Sequence, residues 1–229
     1  MRPALLVDLD DTLYDEQTYV QSGFQHVASL LSPECGVPAG ALLTFLQTRL
    51  ETHGRGRLFD DLLNAHGLPG TPENVNRLVD AYRDHRPAIA LADDVRQTLE
   101  QLRQAYLIGI VTDGLQSIQR RKTDALGLAG LVDTIVYCWE QGAPKPSPRG
   151  FQLALKQLGD PPVAAVVGDN VRHDLPAAVA LGIPFIRIRG GRLKADETPA
   201  VPIPVVEVGS FCDVPAAVAS VAGRRTGAL

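Results

Sequence analysis

The N-terminal part of the chain changes from a continuous apolar run to helical spacing. Residues 4–9 are apolar except for Asp8, and acidic residues at positions 8, 10 and 11 end the run, which predicts a buried strand over 4–9. Apolar positions then recur every three or four residues over 17–31, which predicts an amphipathic helix. Because the residue before a proline avoids the α conformation, Ser32-Pro33 is expected to end this helix.

No strand pattern is visible between Asp11 and Tyr106, and further helices are predicted there. Apolar positions have helical spacing over residues 39–51, 58–66, 73–86 and 93–104. Two segments rich in glycine or proline, 54–57 and 69–72, separate some of these helices. We therefore expect residues 15–90 to form an α-helical insertion.

The second half of the chain alternates between apolar, β-branched runs and helical patterns. Strands are predicted at residues 107–112, 134–138, 163–168, 185–188 and 205–208. Helices are predicted at residues 117–126, 148–158 and 174–180. This alternation is typical of a parallel sheet with helices on both faces, which the strand at 4–9 can join. We predict an α/β protein with a Rossmann-like core (1–14 and 91–229) and a frayed tail around 223–229.

Composition and charge narrow the class of function. The chain has 229 residues, of which 45% are hydrophobic and 21% are charged, and its net charge is −4. Nucleic-acid binding is not expected, because the basic residues cluster only in the short Arg120-Arg121-Lys122. No apolar stretch approaches the ~20 residues of a membrane span, and acidic residues from Asp8 onward interrupt any signal-peptide pattern. We therefore expect a cytoplasmic protein that does not contact membranes.

Polar residues are expected to gather at the carboxyl ends of the strands, where parallel sheets bind ligands. Asp8 and Asp10 are two residues apart, so on an extended strand both side chains point to one face. Two adjacent carboxylates raise each other's proton affinity unless a cation lies between them. The pair therefore indicates either a metal site or acid/base chemistry.

Further polar residues follow the other predicted strands. They are Thr112-Asp113-Gly114, Lys145, Gly168-Asp169-Asn170 and Asp174. Taken singly, an aspartate after a strand is more often a cap or turn residue, and a lysine between prolines is more often an exposed loop charge. Their joint occurrence favours one site at which carboxylates, a hydroxyl and a lysine converge. Lys122 can face either this site or solvent, and a structural role is expected for His173.

Four short motifs of this chain resemble those of one enzyme superfamily. They are Asp8-Leu9-Asp10-Asp11-Thr12, Thr112-Asp113-Gly114, Lys145, and the run from Gly168 to Asp174. In order and position they are similar to the motifs of the haloacid dehalogenase superfamily, in its phosphohydrolase branch. The resemblance spans essentially the whole chain, because the helical insertion stands where the family carries its type-one cap. It implies a parallel-sheet core and an α-helical cap over residues 15–90.

The resemblance also implies Mg²⁺ as the cofactor. Its ligands would be the Asp8 carboxylate, the Asp10 backbone carbonyl and the Asp169 carboxylate. Asp174 would be an outer ligand or an orienting partner. Oxygen atoms of this kind are the ligands that Mg²⁺ prefers, and a cation is needed because the negative charge of a phosphate ester repels an attacking carboxylate.

Catalytic roles are implied by the same resemblance. Asp8 would be the nucleophile and form an aspartyl-phosphate, which splits the reaction into two displacements. Asp10 would protonate the leaving alkoxide and then accept a proton from the hydrolytic water. The phosphoryl oxygens would be bound by the Thr112 hydroxyl, the backbone amides of Asp113 and Gly114, and the Lys145 ammonium.

The expected reaction is hydrolysis of a small phosphorylated metabolite by a monomer or a homodimer. Sugar phosphates, nucleoside monophosphates and phosphoglycolate-like acids are all open as substrates. Three alternatives also stay open, namely a phosphomutase, a 2-haloacid dehalogenase and a catalytically silent binding protein on the same fold. The dehalogenase branch uses the same aspartate nucleophile without a metal and typically lacks an acid/base carboxylate two residues after it. Asp10, Asp169 and Asp174 therefore argue against this alternative. The presence of both Asp8 and Asp10 argues against the silent protein.

Overall fold

Six parallel strands form one sheet in the computed structural model, which describes residues 1–226 and their side chains as far as Val221. The strands are β1 (Ala4–Val7), β2 (Leu107–Thr112), β3 (Thr134–Tyr137), β4 (Val163–Gly168), β5 (Phe185–Ile188) and β6 (Val205–Val208). Their order across the sheet is β3-β2-β1-β4-β5-β6, and every neighbouring pair is parallel. The predicted α/β class with a parallel sheet is therefore confirmed.

Strand β1 lies inside the sheet because its residues are apolar on both faces. All four of its residues are completely buried. Val7 is in register with Ile110 of β2 and with Val167 of β4. These three strands therefore end close to the same level, and the residues that follow them reach one edge of the sheet. That edge carries the candidate site.

The helices of the described part agree closely with the predicted pattern except at two places. They are α1 (Glu16–Cys35), α2 (Ala39–His53), α3 (Leu58–Ala65), α4 (Pro72–Asp84), α5 (Asp93–Ala105), α6 (Gln116–Ala125), α7 (Arg149–Gln157), α8 (Asp174–Leu181) and α9 (Val214–Thr226). Two short 3-10 helices lie at Leu128–Gly130 and Phe211–Asp213. Within the residues described, no helix is long and apolar enough to cross a membrane.

Helix α1 continues beyond the predicted end at Ser32-Pro33. Pro33 lies in its last turn, where the missing N–H removes a single helical hydrogen bond. The helix stops after Cys35, because Gly36 adopts a left-handed conformation (φ 69°) and donates its N–H to the Ser32 carbonyl at 3.0 Å. The glycine, and not the proline, therefore ends the helix.

Helix α9 has no counterpart in the sequence-based prediction. Its small residues give little contrast between a polar and an apolar face, although buried Val214, Ala217, Val218 and Val221 recur at helical spacing. The predicted frayed tail is wrong for residues 223–226, which belong to this helix, and residues 227–229 lie outside the described part. The predicted first strand is also too long, since β1 ends at Val7.

The chain divides into two compact units. One consists of Met1–Glu16 together with Ala90–Leu229 and contains the sheet. In this unit α7 packs on β2 and β3, α8 packs on β4, and α9 packs on β4, β5 and β6. The other unit, Gln17–Ile89, is helical and has its own apolar core, which includes Phe24, Leu42 and Leu62.

Candidate active site

A cavity at the carboxyl edge of the sheet collects nearly all the residues singled out from the sequence. It is lined by Asp8, Asp10, Asp11, Glu16, Thr112, Asp113, Lys145, Asp169, Asn170, His173, Asp174 and Arg192. Gly114 follows directly in the loop after β2 and has a backbone φ of 124°, which residues with a Cβ rarely adopt. The structure therefore brings the four motifs together, as the sequence predicts for parallel strand ends.

Three buried carboxylates form the centre of the cavity. Asp8 follows β1, Asp169 follows β4 and Asp174 begins α8, and one oxygen from each lies within 4.8 Å of the others. Asp174 can reach this position because residue 168 is glycine, where a Cβ would overlap the Asp174 carboxylate. Carboxylate oxygens are the type of ligand that a hard cation such as Mg²⁺ prefers.

Lys145 supplies the positive charge that faces these carboxylates. Its Nζ lies 2.5 Å from Asp8 Oδ1 and 2.7 Å from Asp174 Oδ1. Burial acts to lower the pKa of Lys145, but the Asp174 and Asp8 charges outweigh it and raise this pKa above its usual range. The Asp113 carboxylate accepts the Lys145 backbone N–H at 3.0 Å. The Asp113 side chain therefore holds the lysine loop in place.

The carboxylate cluster carries more negative charge than Lys145 can balance. Burial, with the charges of Asp174 and Asp169, keeps the pKa of Asp8 well above its usual range despite the nearby lysine. Burial and the charges of Asp174 and Asp11 raise the pKa of Asp169 to about 7. A divalent cation at this position would relieve the repulsion and favour the ionised carboxylates.

The raised pKa of Asp169 predicts that replacing this residue has a pH-dependent effect on stability. Its pKa is raised from 3.8 to about 7 in the folded protein, so the stability that its protonated form provides is lost as pH rises through 7. With a chelator present, the melting temperature of Asp169→Asn should therefore exceed that of wild type increasingly between about pH 4 and 7. Scanning fluorimetry across this range measures the difference.

Two comparisons make the Asp169→Asn result specific. Asp160→Asn, at an exposed loop position outside the cavity, should have the same melting temperature as wild type at every pH. Adding Mg²⁺ at about pH 8 should raise the melting temperature of wild type more than that of Asp169→Asn. A difference between Asp169→Asn and wild type that stays constant with pH would contradict the electrostatic account.

Asp10 has a different environment from the three clustered carboxylates. Its Oδ1 accepts hydrogen bonds from Tyr14 Oη at 2.5 Å and from Lys122 Nζ at 2.7 Å. Its Oδ2 accepts one from Gln119 Nε2 at 2.8 Å. Burial acts to raise the pKa of Asp10, but the Lys122 charge and these hydrogen bonds hold it below its usual range. In the part of the chain described, its carboxylate is not a member of the metal-ligating group.

The side chains around Asp10 include two that sequence reasoning does not identify, Tyr14 and Gln119. Lys122, for which the sequence allows either orientation, faces the site and is almost fully buried. Gln119 and Lys122 are three residues apart on α6, which begins just after Thr112-Asp113-Gly114. This spacing places both on one face of the helix, and it is the signal that could have identified them.

A second group of charges lies at the rim of the cavity. The Asp11 carboxylate accepts the Glu16 backbone N–H at 3.0 Å, and its other oxygen lies 3.4 Å from Arg192 Nε. Arg192 also pairs with Glu16 at 2.5 Å. Thr12 donates its hydroxyl to Asp8 Oδ2 at 3.3 Å, and His173 lies in the lining with an exposed side chain. Asp11 therefore connects the turn after β1 with the loop after β5.

Comparisons with known proteins show the family and the fold. The family model of haloacid dehalogenase-like hydrolases matches residues 3–182. A glyceraldehyde 3-phosphate phosphatase from Methanopyrus kandleri is 33% identical over 202 residues, which are 85% of this chain and 87% of that protein. A ribulose-1,5-bisphosphate 5-phosphatase from Halopiger xanaduensis is 32% identical over 199 residues, 80% of this chain and 83% of that protein. The solved structure of a putative beta-phosphoglucomutase from Thermotoga maritima shares the fold, with a TM-score of 0.65 and 17% sequence identity. The match covers 96% of this chain and 99% of that chain.

Proposed function

Because this chain belongs to the haloacid dehalogenase-like hydrolases and is a phosphatase of small phosphorylated metabolites, we propose that it hydrolyses sugar phosphates in a magnesium-dependent reaction. The choice of sugar phosphates rests on the relatives, which are named for glyceraldehyde 3-phosphate and ribulose 1,5-bisphosphate. Cytoplasmic location and a monomeric or homodimeric state stay predictions from the sequence.

The observation that carries the proposal is the cluster of Asp8, Asp169 and Asp174 beside Lys145. Three buried carboxylates face one ammonium, and burial together with the charges of neighbouring carboxylates raises the pKa values of Asp8 and Asp169. An all-oxygen donor set with excess negative charge fits Mg²⁺. The residues present therefore suit the cofactor that the family resemblance implies.

Asp8, the Asp10 backbone carbonyl and Asp169 would hold the ion, with Asp174 as an outer ligand or orienting partner. When bound there, Mg²⁺ would neutralise charge on the phosphoryl group and so permit attack by a carboxylate. Lys145 would remain protonated beside Asp8 and Asp174 and offer a second positive charge. This arrangement supplies electrostatic stabilisation where the transferring phosphoryl group develops negative charge.

The chemistry would run in two displacements on phosphorus. In the first, an Asp8 oxygen forms a bond to phosphorus, the bond from phosphorus to the leaving oxygen breaks, and Asp10 gives that oxygen a proton. In the second, Asp10 takes a proton from a water molecule whose oxygen attacks phosphorus, and the bond to Asp8 breaks. Inorganic phosphate and free Asp8 result, so the overall reaction is hydrolysis.

The phosphoryl oxygens need donors that stay in place during both displacements. We assign this role to the Thr112 hydroxyl, the backbone N–H groups of Asp113 and Gly114, and Lys145. Thr112 and Lys145 are almost fully buried at the cavity wall, so their positions are set by the surrounding protein. Donors fixed before the reaction stabilise the developing charge without reorganisation.

Phosphate release from a panel of metabolites tests the proposal. The panel contains glyceraldehyde 3-phosphate, ribulose 1,5-bisphosphate, a nucleoside monophosphate and phosphoglycolate, each measured with Mg²⁺ and with EDTA. We expect release that requires Mg²⁺ and is fastest for a sugar phosphate, because the buried carboxylates repel substrate until a cation is bound.

The panel also separates the alternatives. Conversion of a sugar phosphate to an isomer without free phosphate would identify a phosphomutase and contradict hydrolysis. Release that persists unchanged in EDTA would contradict the magnesium requirement. Binding of phosphorylated compounds without any turnover would indicate a silent binding protein.

A further inference from the structure

Gln119 connects two parts of the site that the family resemblance treats separately. The residue is 2% exposed. Its Nε2 lies 2.8 Å from Asp10 Oδ2, 2.6 Å from Thr112 Oγ1 and 2.7 Å from the Asp113 backbone oxygen. Asp10 is the proposed acid/base residue, and Thr112 is a proposed phosphate ligand. One buried amide therefore touches both.

The orientation of the Gln119 amide follows from its partners. A carboxylate and a backbone carbonyl can only accept hydrogen bonds, so Asp10 and Asp113 both require the NH₂ end of the amide. Reversing the amide would place its oxygen against two acceptors. The amide of Gln119 is therefore held as a donor by groups in the segments that follow β1 and β2.

This donor also constrains the Thr112 hydroxyl. At 2.6 Å from Nε2, the Thr112 oxygen accepts a share of an N–H, since an amide nitrogen is not itself an acceptor. The hydroxyl proton is then left for a different acceptor, and Thr112 lines the cavity. Gln119 thus sets the hydroxyl as a donor toward a phosphoryl oxygen.

The Asp10 carboxylate is constrained in a similar way. Oδ1 accepts from both Tyr14 and Lys122, whereas Gln119 is the one donor to Oδ2 among the residues that the structure describes. A carboxylate oxygen has room for two donors, so Oδ2 keeps one position open. The Asp10 side chain is also 21% exposed, whereas that of Lys122 is 4% exposed. The open position on Oδ2 is where a leaving-group oxygen or a water can exchange a proton.

We propose that Gln119 is a positioning residue that holds the Asp10 carboxylate and the Thr112 hydroxyl in one arrangement, with Asp10 Oδ2 as the atom that gives and takes the proton. This inference rests on the proposed function, because it assumes that Asp10 serves as acid and base for a phosphate ester. It adds that α6 aligns leaving-group protonation with phosphate binding. Loss of the amide should therefore harm reactions that need a proton at the leaving oxygen.

Two esters with different leaving groups test the role of Gln119. The leaving group of glyceraldehyde 3-phosphate is an alkoxide, which needs a proton. The leaving group of p-nitrophenyl phosphate is a stable phenolate, which does not. For Gln119→Met, which keeps the length but has no donors, we expect kcat/KM for glyceraldehyde 3-phosphate to fall about 10- to 100-fold. For p-nitrophenyl phosphate we expect a fall of only about threefold, because its phenolate needs no proton and only the shifted Thr112 hydroxyl affects it. We compare kcat/KM because this constant covers the steps up to and including the departure of the leaving group.

Matched variants make the result specific. Gln116→Met makes the same chemical change one turn earlier on α6, at a residue outside the cavity lining, and should leave both substrates unchanged. Gln119→Glu keeps the shape of the side chain and replaces the donor by an acceptor, so it should show the same selective loss. Melting temperatures check that each variant is folded, and the Gln119→Glu result decides the matter if Gln119→Met is unfolded.

The outcomes are distinguishable. A selective loss for the alkyl ester supports the positioning role. Equal losses for the two esters, or no loss, would overturn it while leaving the proposed function intact. A wild-type protein that, with Mg²⁺, releases phosphate neither from p-nitrophenyl phosphate nor from either sugar phosphate of the panel would overturn the proposed function and this inference with it.

Discussion

Replacing Asp8 by asparagine should reduce phosphate release by at least about a thousandfold. Asparagine has the same shape, but its amide is not a nucleophile, so no covalent bond to phosphorus can form. It also removes one of the three clustered carboxylates and so weakens the binding of Mg²⁺. The measurement is release of inorganic phosphate from glyceraldehyde 3-phosphate at saturating Mg²⁺, with wild type assayed alongside.

Asp160→Asn is the matched control for Asp8→Asn. Asp160 is exposed and has φ 52°, a conformation that asparagine tolerates, so its activity should equal that of wild type. Intact-mass spectrometry of rapidly quenched wild type should also detect one added phosphoryl group, which Asp8→Asn should lack. Full activity in Asp8→Asn would show that another group attacks phosphorus.

Replacing Asp10 by asparagine should separate the two displacements. Hydrolysis of an alkyl ester should fall by about 10²- to 10⁴-fold, because the leaving oxygen receives no proton. With p-nitrophenyl phosphate the first displacement needs no proton, but the second still needs a base for water. We therefore expect a burst of one p-nitrophenolate per active site, followed by slow turnover and an accumulated phosphoenzyme.

Absorbance in a stopped-flow instrument records the Asp10→Asn burst, and intact mass confirms the phosphoenzyme. The double variant Asp8→Asn with Asp10→Asn should show no burst, since it has no nucleophile. A uniform loss for both esters without a burst would assign Asp10 a different role, such as holding Lys122 or the metal alone.

The parallel sheet could be predicted from the sequence because its strands are apolar on both faces. Strands β2, β4, β5 and β6 have the predicted bounds, since each is a continuous β-branched or apolar run with turn residues on both sides. The predicted first strand extends too far because Leu9 is apolar and fully buried although it lies outside β1. Hydrophobicity alone cannot distinguish a buried residue in a strand from a buried residue, such as Leu9, that lies just beyond one.

The residues of the candidate site could also be predicted only in part. Asp8, Asp169 and Lys145 could be found because they follow predicted strands, and the topology of a parallel sheet collects such residues. Tyr14 could not, because a polar residue in a turn looks the same in sequence whether it faces solvent or a buried carboxylate. The helical spacing of Gln119 and Lys122 places them on one face of α6, but it does not show what that face contacts. Their partners on other elements, and not their own neighbours in sequence, give them their positions.

The place of β1 in the sheet has a consequence for biosynthesis. This strand leaves the ribosome before the other strands of the sheet, and its partners β2 and β4 begin only at Leu107 and Val163. The helical unit Gln17–Ile89 is made in between and can collapse around its own core on the nascent chain. The apolar segment Ala4–Val7 must therefore stay free of aggregation until translation has passed β4. Acidic residues at positions 8, 10 and 11 follow this segment, and charges next to an apolar strand disfavour intermolecular strand pairing. We therefore expect the carboxylates of the site also to protect the nascent strand.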